Sequence, residues 1–178
     1  MDSINKQQKE DNYKDLHGNE AARKIKELTE KAGNCFFCTN TQATESFATR
    51  PMSVRQINDD GIFWFLSSVD SNKNAEIKSN NKVRLLLQGS TYSDFLSIEG
   101  TATISQDKEM IKELWEPILK TWFTDGIDDP RITVIRVTPD DGYYWDNKHG
   151  QLIAFAKQMA GAIMGKTTDD SIEGKLKL

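Results

Sequence analysis

One stretch, from Ser46 to Lys78, constrains the fold of this chain more than any other. Polar and apolar residues alternate over Ser46–Val54, a tight-turn cluster follows at Asn58–Gly61, and Ile62–Ser67 is almost wholly apolar and aromatic. The pattern predicts a strand, a turn in which glycine supplies a positive φ, and a second strand buried on both faces. A helix comes next, with three candidate capping residues, Asp70, Ser71 and Asn72.

Two cations, Arg50 and Lys73, stand at the ends of these adjacent elements. The planar guanidinium of Arg50 suits two phosphate oxygens, and Lys73 adds a point charge beside the free N–H groups that begin a helix. The combination predicts a phosphate site. Each cation also has an ordinary interpretation, because Arg50 suits an ion pair on an edge strand and Lys73 suits a surface position.

The overall composition sets limits on location and partners. The chain has 178 residues, 28% of them charged, and a formal net charge of −4. This length fits one domain with a sizeable core, and the acidic balance argues against non-specific nucleic-acid binding. No apolar run reaches the length of a membrane span, and the polar N-terminus lacks a secretory apolar segment. We therefore expect a cytoplasmic protein with no nucleic-acid or membrane partner.

The two cysteines form the sequence Cys35-Phe36-Phe37-Cys38. A redox role for such a pair requires the first sulfur near a helix N-terminus, where its pKa falls. Here the residues are typical of a strand, so the two thiols point to opposite faces, and we expect both to be buried and reduced. Neither His17 nor His149 has the spacing of a metal ligand, so no metal site is predicted.

The rest of the chain alternates between helices and short strands. Helical spacing of apolar residues predicts a helix at Glu20–Ala32 and an amphipathic helix at Asp107–Thr124 that Pro117 interrupts. Further strands are predicted at Cys35–Thr39, Val83–Gln88, Phe95–Ile104 and Ile132–Thr138. Because at least six short strands occur without βαβ alternation, the expected fold is mainly β with helices, a largely antiparallel barrel rather than a doubly wound sheet.

The two ends are expected to differ from this central part. Residues 1–18 are polar and mixed in charge, which predicts a flexible N-terminal segment. Residues 19–165 make up the predicted domain, which ends in a short apolar helix, QLIAFAKQMAGAIMG, that packs on its own subunit or on a partner. Residues 166–178 are predicted to form a loose tail.

Three segments together resemble a known protein family. They are ATRPMSV, IFWFLSSVDSNKNAEI and LWEPILKTWFTDGIDDPRITVIRVTPDDGYYWD, and the resemblance covers roughly Glu20–Asp146. Their order and spacing are similar to those of the pyridoxamine 5'-phosphate oxidase-like flavoproteins, in the branch of general stress protein 26. The resemblance implies an FMN-binding split β-barrel, antiparallel and Greek-key-like, that forms a homodimer with the flavin at the interface.

The resemblance also implies roles for individual residues. Phosphate contacts are assigned to Arg50, Asn72 and Lys73. The residues expected along the flavin ring, mostly through their backbone, are Pro51, Met52, Phe65, Leu66, Ser67 and Ser68.

Two more residues complete the expected site. Gln88 ends an apolar strand, where a buried amide needs a partner, either the pyrimidine-like edge of the ring or an ordinary backbone group. Trp145 matches the late aromatic residue that, in the family, approaches the ring from the second subunit.

The chain departs from the vitamin-forming oxidase of the family at two places. Ser71-Asn72-Lys73 stands where that enzyme has an Arg-Lys pair, and the C-terminal end has no matching Arg-x-His motif. Oxidation of pyridoxamine phosphate is therefore not expected, and no catalytic residue is assigned. The resemblance implies a flavin-dependent oxidoreductase of unspecified substrate that binds FMN, with FAD as an alternative cofactor. The alternative functions are a non-catalytic flavin carrier or stress sensor, and a dimeric interaction protein that has lost the flavin.

Overall fold

The computed structural model describes residues 12–40, 47–91, 93–148 and 170–178. Within these residues, nine strands, three α-helices and two 3-10 helices are present. The strands are β1 (Leu16–His17), β2 (Asn34–Thr39), β3 (Ala48–Ser53), β4 (Gln56–Ile57), β5 (Phe63–Ser68), β6 (Lys82–Gln88), β7 (Phe95–Ser105), β8 (Ile132–Asn147) and β9 (Ser171–Lys177). The helices are α1 (Asn19–Ala32), α2 (Asn72–Ser79), α3 (Lys108–Leu114) and the 3-10 helices Pro117–Thr121 and Gly126–Asp128.

All the strands belong to one sheet that follows the order β1-β9-β8-β7-β6-β2-β3, with β5 paired to β8 and β4 paired to β5. The named strand pairs are antiparallel except for the short parallel pair of β1 and β9. The prediction of a mainly β, largely antiparallel fold with helices is therefore confirmed. Among the described strands the sheet does not close on itself, because β3 lies at its end.

Strand β8 divides this sheet into two parts. One edge of β8 pairs with β7 along most of its length. The other edge pairs with β5 over Ile132–Val137 and with β9 over Asp141–Asn147. A single long strand thus supports two separate strands on one edge, and the sheet is split at that point.

The main core lies between α1 and the inward face of the sheet. Ile25 and Leu28 of α1 are buried, as the predicted apolar face of this helix requires. They belong to the same cluster as Phe37, Phe65 and Ile98, which come from three different strands. Phe37 and Phe65 contact edge to face, with ring centroids 5.2 Å apart, a favourable aromatic geometry. This core holds β2 and β5 in the positions that shape the candidate site.

A second, smaller core covers the opposite face of β5. Trp64 and Leu66 pack against it, whereas Phe63 and Phe65 belong to the main core. Strand β5 therefore has apolar contacts on both faces, as its composition predicted.

The predicted long helix at 107–124 is interrupted, as expected, at its proline. Helix α3 ends at Leu114, and Pro117 begins a 3-10 helix. The side chains of Ile118 and Trp122 are 62% and 63% exposed, so the buried apolar face expected of an amphipathic helix at 107–124 does not include them. The reason is geometric, because a 3-10 helix has three residues per turn and residues four apart no longer share a face.

Both ends of the described chain are more ordered than their composition suggested. Strand β9 contains residues 171–177 and pairs with β8, so the expected loose tail is wrong for this segment. Strand β1 pairs with β9, and Leu16 and Leu176 are buried. Strand β8 extends beyond its pairing with β5, and this part of its edge provides backbone partners for β9 that the sequence of the tail does not reveal.

Three expectations concern residues outside the described ranges. They are the flexibility of residues 1–11, the apolar helix of residues 151–165, and the position of His149. The division of the chain into segments 1–18, 19–165 and 166–178 remains a prediction. None of the described helices is both long and apolar enough to span a membrane.

Candidate functional site

Two strands, β3 and β5, each have an edge that lacks a ladder partner over part or all of its length in the described chain. Strand β3 pairs only with β2 among the described strands. The residues 65–68 of β5 pair on one edge with β8, and no described strand pairs with their other edge. The two strands are joined through Arg55, whose N–H donates to the carbonyl of Trp64 at 2.9 Å. Beyond this bond, the backbone of β5 has donors and acceptors that a ligand can use.

Helix α2 begins just after the open edge of β5 and is held by side-chain contacts. Ser71 caps the helix, since its hydroxyl accepts from the N–H of Asn74 at 3.2 Å. The hydroxyl of Ser67 lies 3.2 Å from the same oxygen. The amide of Asn74 donates to the hydroxyl of Thr133 on β8 at 2.8 Å. The first turn of α2 is therefore attached to both β5 and β8.

Lys73, in this first turn, is the most unusual charged residue in the described chain. It is only 9% exposed, and its ammonium group has no hydrogen-bond acceptor or ion-pair partner among the described residues. Burial, together with the positive charge of nearby Arg50, lowers the pKa of Lys73 to about 8. A buried ammonium group without an acceptor is unfavourable. The position is therefore suited to a ligand that brings an anion.

Arg50 reaches the same region from β3 and is held by two oxygen acceptors. Its Nη2 donates to Glu76 Oε1 at 2.8 Å, and its Nη1 donates to the Thr39 hydroxyl at 3.0 Å. That hydroxyl in turn donates to the second oxygen of Glu76. The hydrogen bond from Arg50 lowers the pKa of Glu76. We call Thr39, Arg50, Lys73 and Glu76 the cation cluster, and it brings together the two cations that the sequence singled out.

A groove lies on the outward face of the same sheet and has a volume of about 430 Å³. Pro51 and Gln88 line it, and Phe95 and Phe36 lie beside them. Trp145 pairs with Phe95 in the β7–β8 ladder, so both side chains belong to this face. We call it the outer groove, and the described residues that line it are Ala32, Asn34, Cys35, Phe36, Pro51, Leu86, Leu87, Gln88 and Phe95.

The predicted site residues are therefore divided between two faces of the sheet. Arg50 and Met52 alternate with Pro51 along β3, so the first two point inward and the proline points outward. Met52 packs against the main core. Pro51 and Met52 lie side by side in sequence, but the structure does not bring their side chains together.

The remaining predicted residues lie on β5, at the start of α2 and at the end of β6. Phe65 is fully buried in the main core, so only its backbone is available to a ligand. Leu66 and Ser68 are half-buried, and Asn72 is exposed at the start of α2. The side chain of Gln88 is exposed and donates to the backbone oxygen of Ser90 at 2.9 Å, which is the ordinary backbone contact among the two alternatives.

Sequence reasoning missed Thr39 and Glu76, which complete the cation cluster. Glu76 follows Lys73 by three residues, so helical spacing was a signal that both share one face of α2. Thr39 had no comparable signal, because its contact with Arg50 depends on the pairing of β2 with β3.

The cysteines do not contribute to this site through thiolate chemistry. Both are free and buried. Burial raises the pKa of the Cys35 thiol to about 12, so this thiol stays protonated at neutral pH. Cys38 accepts a hydrogen bond from the hydroxyl of Thr49. The structural interpretation of this pair is confirmed.

Comparison with known proteins adds an independent finding. The sequence model of the family described as "Pyridoxamine 5'-phosphate oxidase like" matches residues 20–169. Protein bli-3 of Neurospora crassa is 29% identical over 137 residues, which cover 72% of this chain and 66% of that protein. General stress protein 26 of Bacillus subtilis is 31% identical over 78 residues, which cover 42% of this chain and 55% of that protein. The chain thus spans less than two thirds of the length of either relative.

Solved structures share the fold. A candidate general stress protein 26 from Jannaschia sp. CCS1 superposes with a TM-score of 0.73 at 18% identity, over 88% of this chain and 97% of that one. The general stress FMN/FAD binding protein from Xanthomonas citri superposes with a TM-score of 0.52 at 25% identity, over 68% of this chain and 84% of that one.

Proposed function

This chain belongs to the pyridoxamine 5'-phosphate oxidase-like family, and on that premise we propose that it binds FMN and acts as a flavin-dependent oxidoreductase. The observation that carries the proposal is Lys73, a buried ammonium group without an acceptor in the described chain, beside the guanidinium of Arg50. The name of the Xanthomonas citri protein, FMN/FAD binding, points to the same class of ligand.

The cation cluster fits the phosphate of this cofactor in its donor chemistry. A phosphate group offers several acceptor oxygens and a negative charge, which together offset the cost of burying Lys73. Arg50 keeps N–H groups beyond the two that donate to Thr39 and Glu76. The first turn of α2, where Asn72 is exposed, adds free backbone N–H groups.

The open edge of β5 fits the ring of the cofactor. The backbone of residues 65–68 has one edge without a strand partner in the described chain. The carbonyl of Ser68 accepts from the N–H of Ser71, and the other donors and acceptors of this edge are available to the polar edge of the ring. The hydroxyls of Ser67 and Ser68 lie next to the start of α2. Met52 provides a half-buried apolar side chain on the facing strand.

A homodimer would explain why the predicted residues lie on two faces of the sheet. Phe36 and Leu86 are 56% and 37% exposed on the outward face, next to the outer groove. Exposed apolar residues that cluster in this way favour a protein interface. In the proposed dimer, the outward face of one copy, with Gln88 and Trp145, approaches the open edge of β5 of the other copy.

When bound, FMN supplies the hydride and electron chemistry, whereas the protein supplies binding, orientation and electrostatics. In this chain, Arg50 and Lys73 bind the phosphate, and the backbone of β5 orients the ring. The two apolar cores, one on each face of β5, exclude water from both faces of this strand.

A flavin titration tests the proposal. We expect the fluorescence of FMN to be quenched on binding. Lys73→Met should weaken the binding of FMN at least about tenfold, because a phosphate contact to a charged group is lost. Lys78→Met is the matched control, since Lys78 is exposed on the same helix. The binding of riboflavin, which lacks the phosphate, should be unchanged by both substitutions. Absence of quenching by the wild-type protein, or equal effects of the two variants, would contradict the proposal.

The oxidoreductase part needs its own measurement. Stopped-flow reduction of the bound flavin by NADH and by NADPH follows the loss of flavin absorbance. Reduction by either donor supports a reductase. A flavin that remains oxidised with both donors, and also with oxidisable substrates in excess, favours the carrier or sensor instead. Repeating the titration with FAD decides between the two flavin nucleotides.

A further inference from the structure

Inside the proposed phosphate site, the carboxylate of Glu76 accepts a hydrogen bond from the guanidinium of Arg50. Arg50 donates from one terminal nitrogen to Glu76 and from the other to Thr39, and Thr39 donates to Glu76, so the three side chains form a closed ring. The three residues come from α2, β3 and β2. Thr39 is fully buried, whereas Arg50 and Glu76 keep side-chain exposures of 29% and 22%.

Two cations lie near Glu76, and the carboxylate forms an ion pair with only one of them in the described chain. Lys73 lies three residues earlier on the same helix, a spacing that permits an ion pair. The described chain has no Lys73–Glu76 ion pair, and Glu76 binds Arg50 across the gap between α2 and β3 instead. The carboxylate of Glu76 therefore neutralises the guanidinium of Arg50 and leaves the buried ammonium group of Lys73 without a partner in the described chain.

The formal charges of the cation cluster show the consequence. Arg50 and Lys73 contribute +2 and Glu76 contributes −1, so the cluster carries a net charge of +1. A phosphate monoester carries roughly −1.5 to −2 at neutral pH. The site therefore already contains one carboxylate. The ligand phosphate must either share Arg50 with Glu76 or displace Glu76 from Arg50.

We propose that Glu76 is a built-in competitor for the ligand phosphate at Arg50, which limits how strongly the phosphate contributes to flavin affinity. This inference rests on the proposed function, since it assigns the same site to the flavin phosphate. Glu76 is a specificity-determining residue in this proposal. It lowers the preference of the protein for a phosphorylated flavin over an unphosphorylated one.

The ratio of the dissociation constants of riboflavin and FMN measures this preference. Glu76→Gln keeps an oxygen that can accept from Arg50 but removes the negative charge. We expect it to raise the ratio about fivefold or more, because a unit charge close to the phosphate is removed. The dissociation constant of riboflavin should stay within a factor of two. The gain should shrink as salt is added, since the site is partly exposed.

Glu109→Gln is the matched control, because it removes the same charge from an exposed carboxylate on α3 that contacts Lys112. If Glu76→Gln leaves the ratio unchanged or lowers it, Glu76 positions Arg50 rather than competing with the ligand, and the proposal is wrong. Glu76→Ala adds a second measurement, since it removes both charge and hydrogen bond; a competitor predicts a raised ratio there too.

Failure of the proposed function is recognised separately. If the wild-type protein binds neither FMN nor riboflavin, the flavin proposal fails, and inorganic phosphate becomes the probe. The rise in melting temperature with added phosphate, at constant ionic strength, should then be larger for Glu76→Gln than for the wild type and Glu109→Gln. Equal rises in the three proteins would overturn the role of Glu76.

Discussion

The amide nitrogen of Asn74 donates to the hydroxyl of Thr133 at 2.8 Å, in a buried contact between α2 and β8. Asn74 is fully buried and Thr133 is 1% exposed. Asn74 directly follows Lys73, so this hydrogen bond attaches the first turn of α2 to the strand that supports β5. This contact therefore helps to fix the position of the buried ammonium group, together with the Ser71 cap.

We predict that this contact is a measurable part of stability. Asn74→Ala and Thr133→Val should each lower the free energy of unfolding by about 1–3 kcal/mol, because each leaves a buried polar partner unsatisfied or removes it. A double-mutant cycle should give a coupling free energy of about 1 kcal/mol. Urea denaturation supplies the four values. Lys78→Ala, exposed on the same helix, is the control, and additive effects in the cycle would show that the two residues do not interact.

The lowered pKa of Lys73 predicts how stability depends on pH. The unfolded chain keeps the lysine proton up to the ordinary value of 10.5, whereas the ligand-free folded protein loses it at about 8. Between these values the unfolded state binds more protons, so this residue makes the unfolding free energy rise with pH. Below about pH 8 both states are protonated, and the destabilisation by the buried charge is constant.

Lys73→Met should therefore be more stable than the wild type at pH 7, by up to about 3 kcal/mol, and this difference should shrink between pH 8 and pH 10. Other titrating groups cancel when the two proteins are compared at each pH by urea denaturation. A stability difference that does not change with pH would mean that Lys73 is solvated in the ligand-free protein.

Phe36, an exposed aromatic residue of the outward face, predicts self-association. Phe36→Glu should convert the proposed dimer to monomers, because it places a charge in the centre of an apolar interface. Sedimentation velocity at micromolar concentration measures the change. Trp122→Glu is the control, since Trp122 is 63% exposed directly after the 3-10 helix Pro117–Thr121 and does not line the outer groove. A wild-type protein that sediments as a monomer would contradict the dimer.

The packing of Gly174 predicts that the end of the chain is part of the fold. A β-carbon at this position would overlap the backbone carbonyl of Lys14, whose N–H donates to Glu173 at 2.9 Å. Gly174→Ala should therefore detach residues 12–17 from β9 and lower the unfolding free energy by at least about 2 kcal/mol. Hydrogen exchange of residues 12–17 checks the local effect. Lys177→Ala, exposed on the same strand, should leave the exchange unchanged.

The sequence by itself determined the features that depend on neighbouring residues. Gly61 has a φ of +75° in the predicted turn, Ser71 caps α2, and Pro117 ends the run of α-helix. Gly100, a residue without a side chain, lies where the register of β7 against β8 shifts. Each of these follows from backbone dihedral angles or from a hydrogen bond within a few residues, so the local sequence contains the information.

Only the tertiary structure decided which of these elements meet and through which faces. The ring of Arg50, Thr39 and Glu76 joins three elements, and it exists because β2 and β3 pair in one register. A shift of that register by one residue would turn Arg50 outward and Pro51 inward. In the same way, β9 is ordered because β8 extends far enough to pair with it, not because of its own composition. Strand pairing is a long-range choice, and the side chains that form the candidate site follow from it.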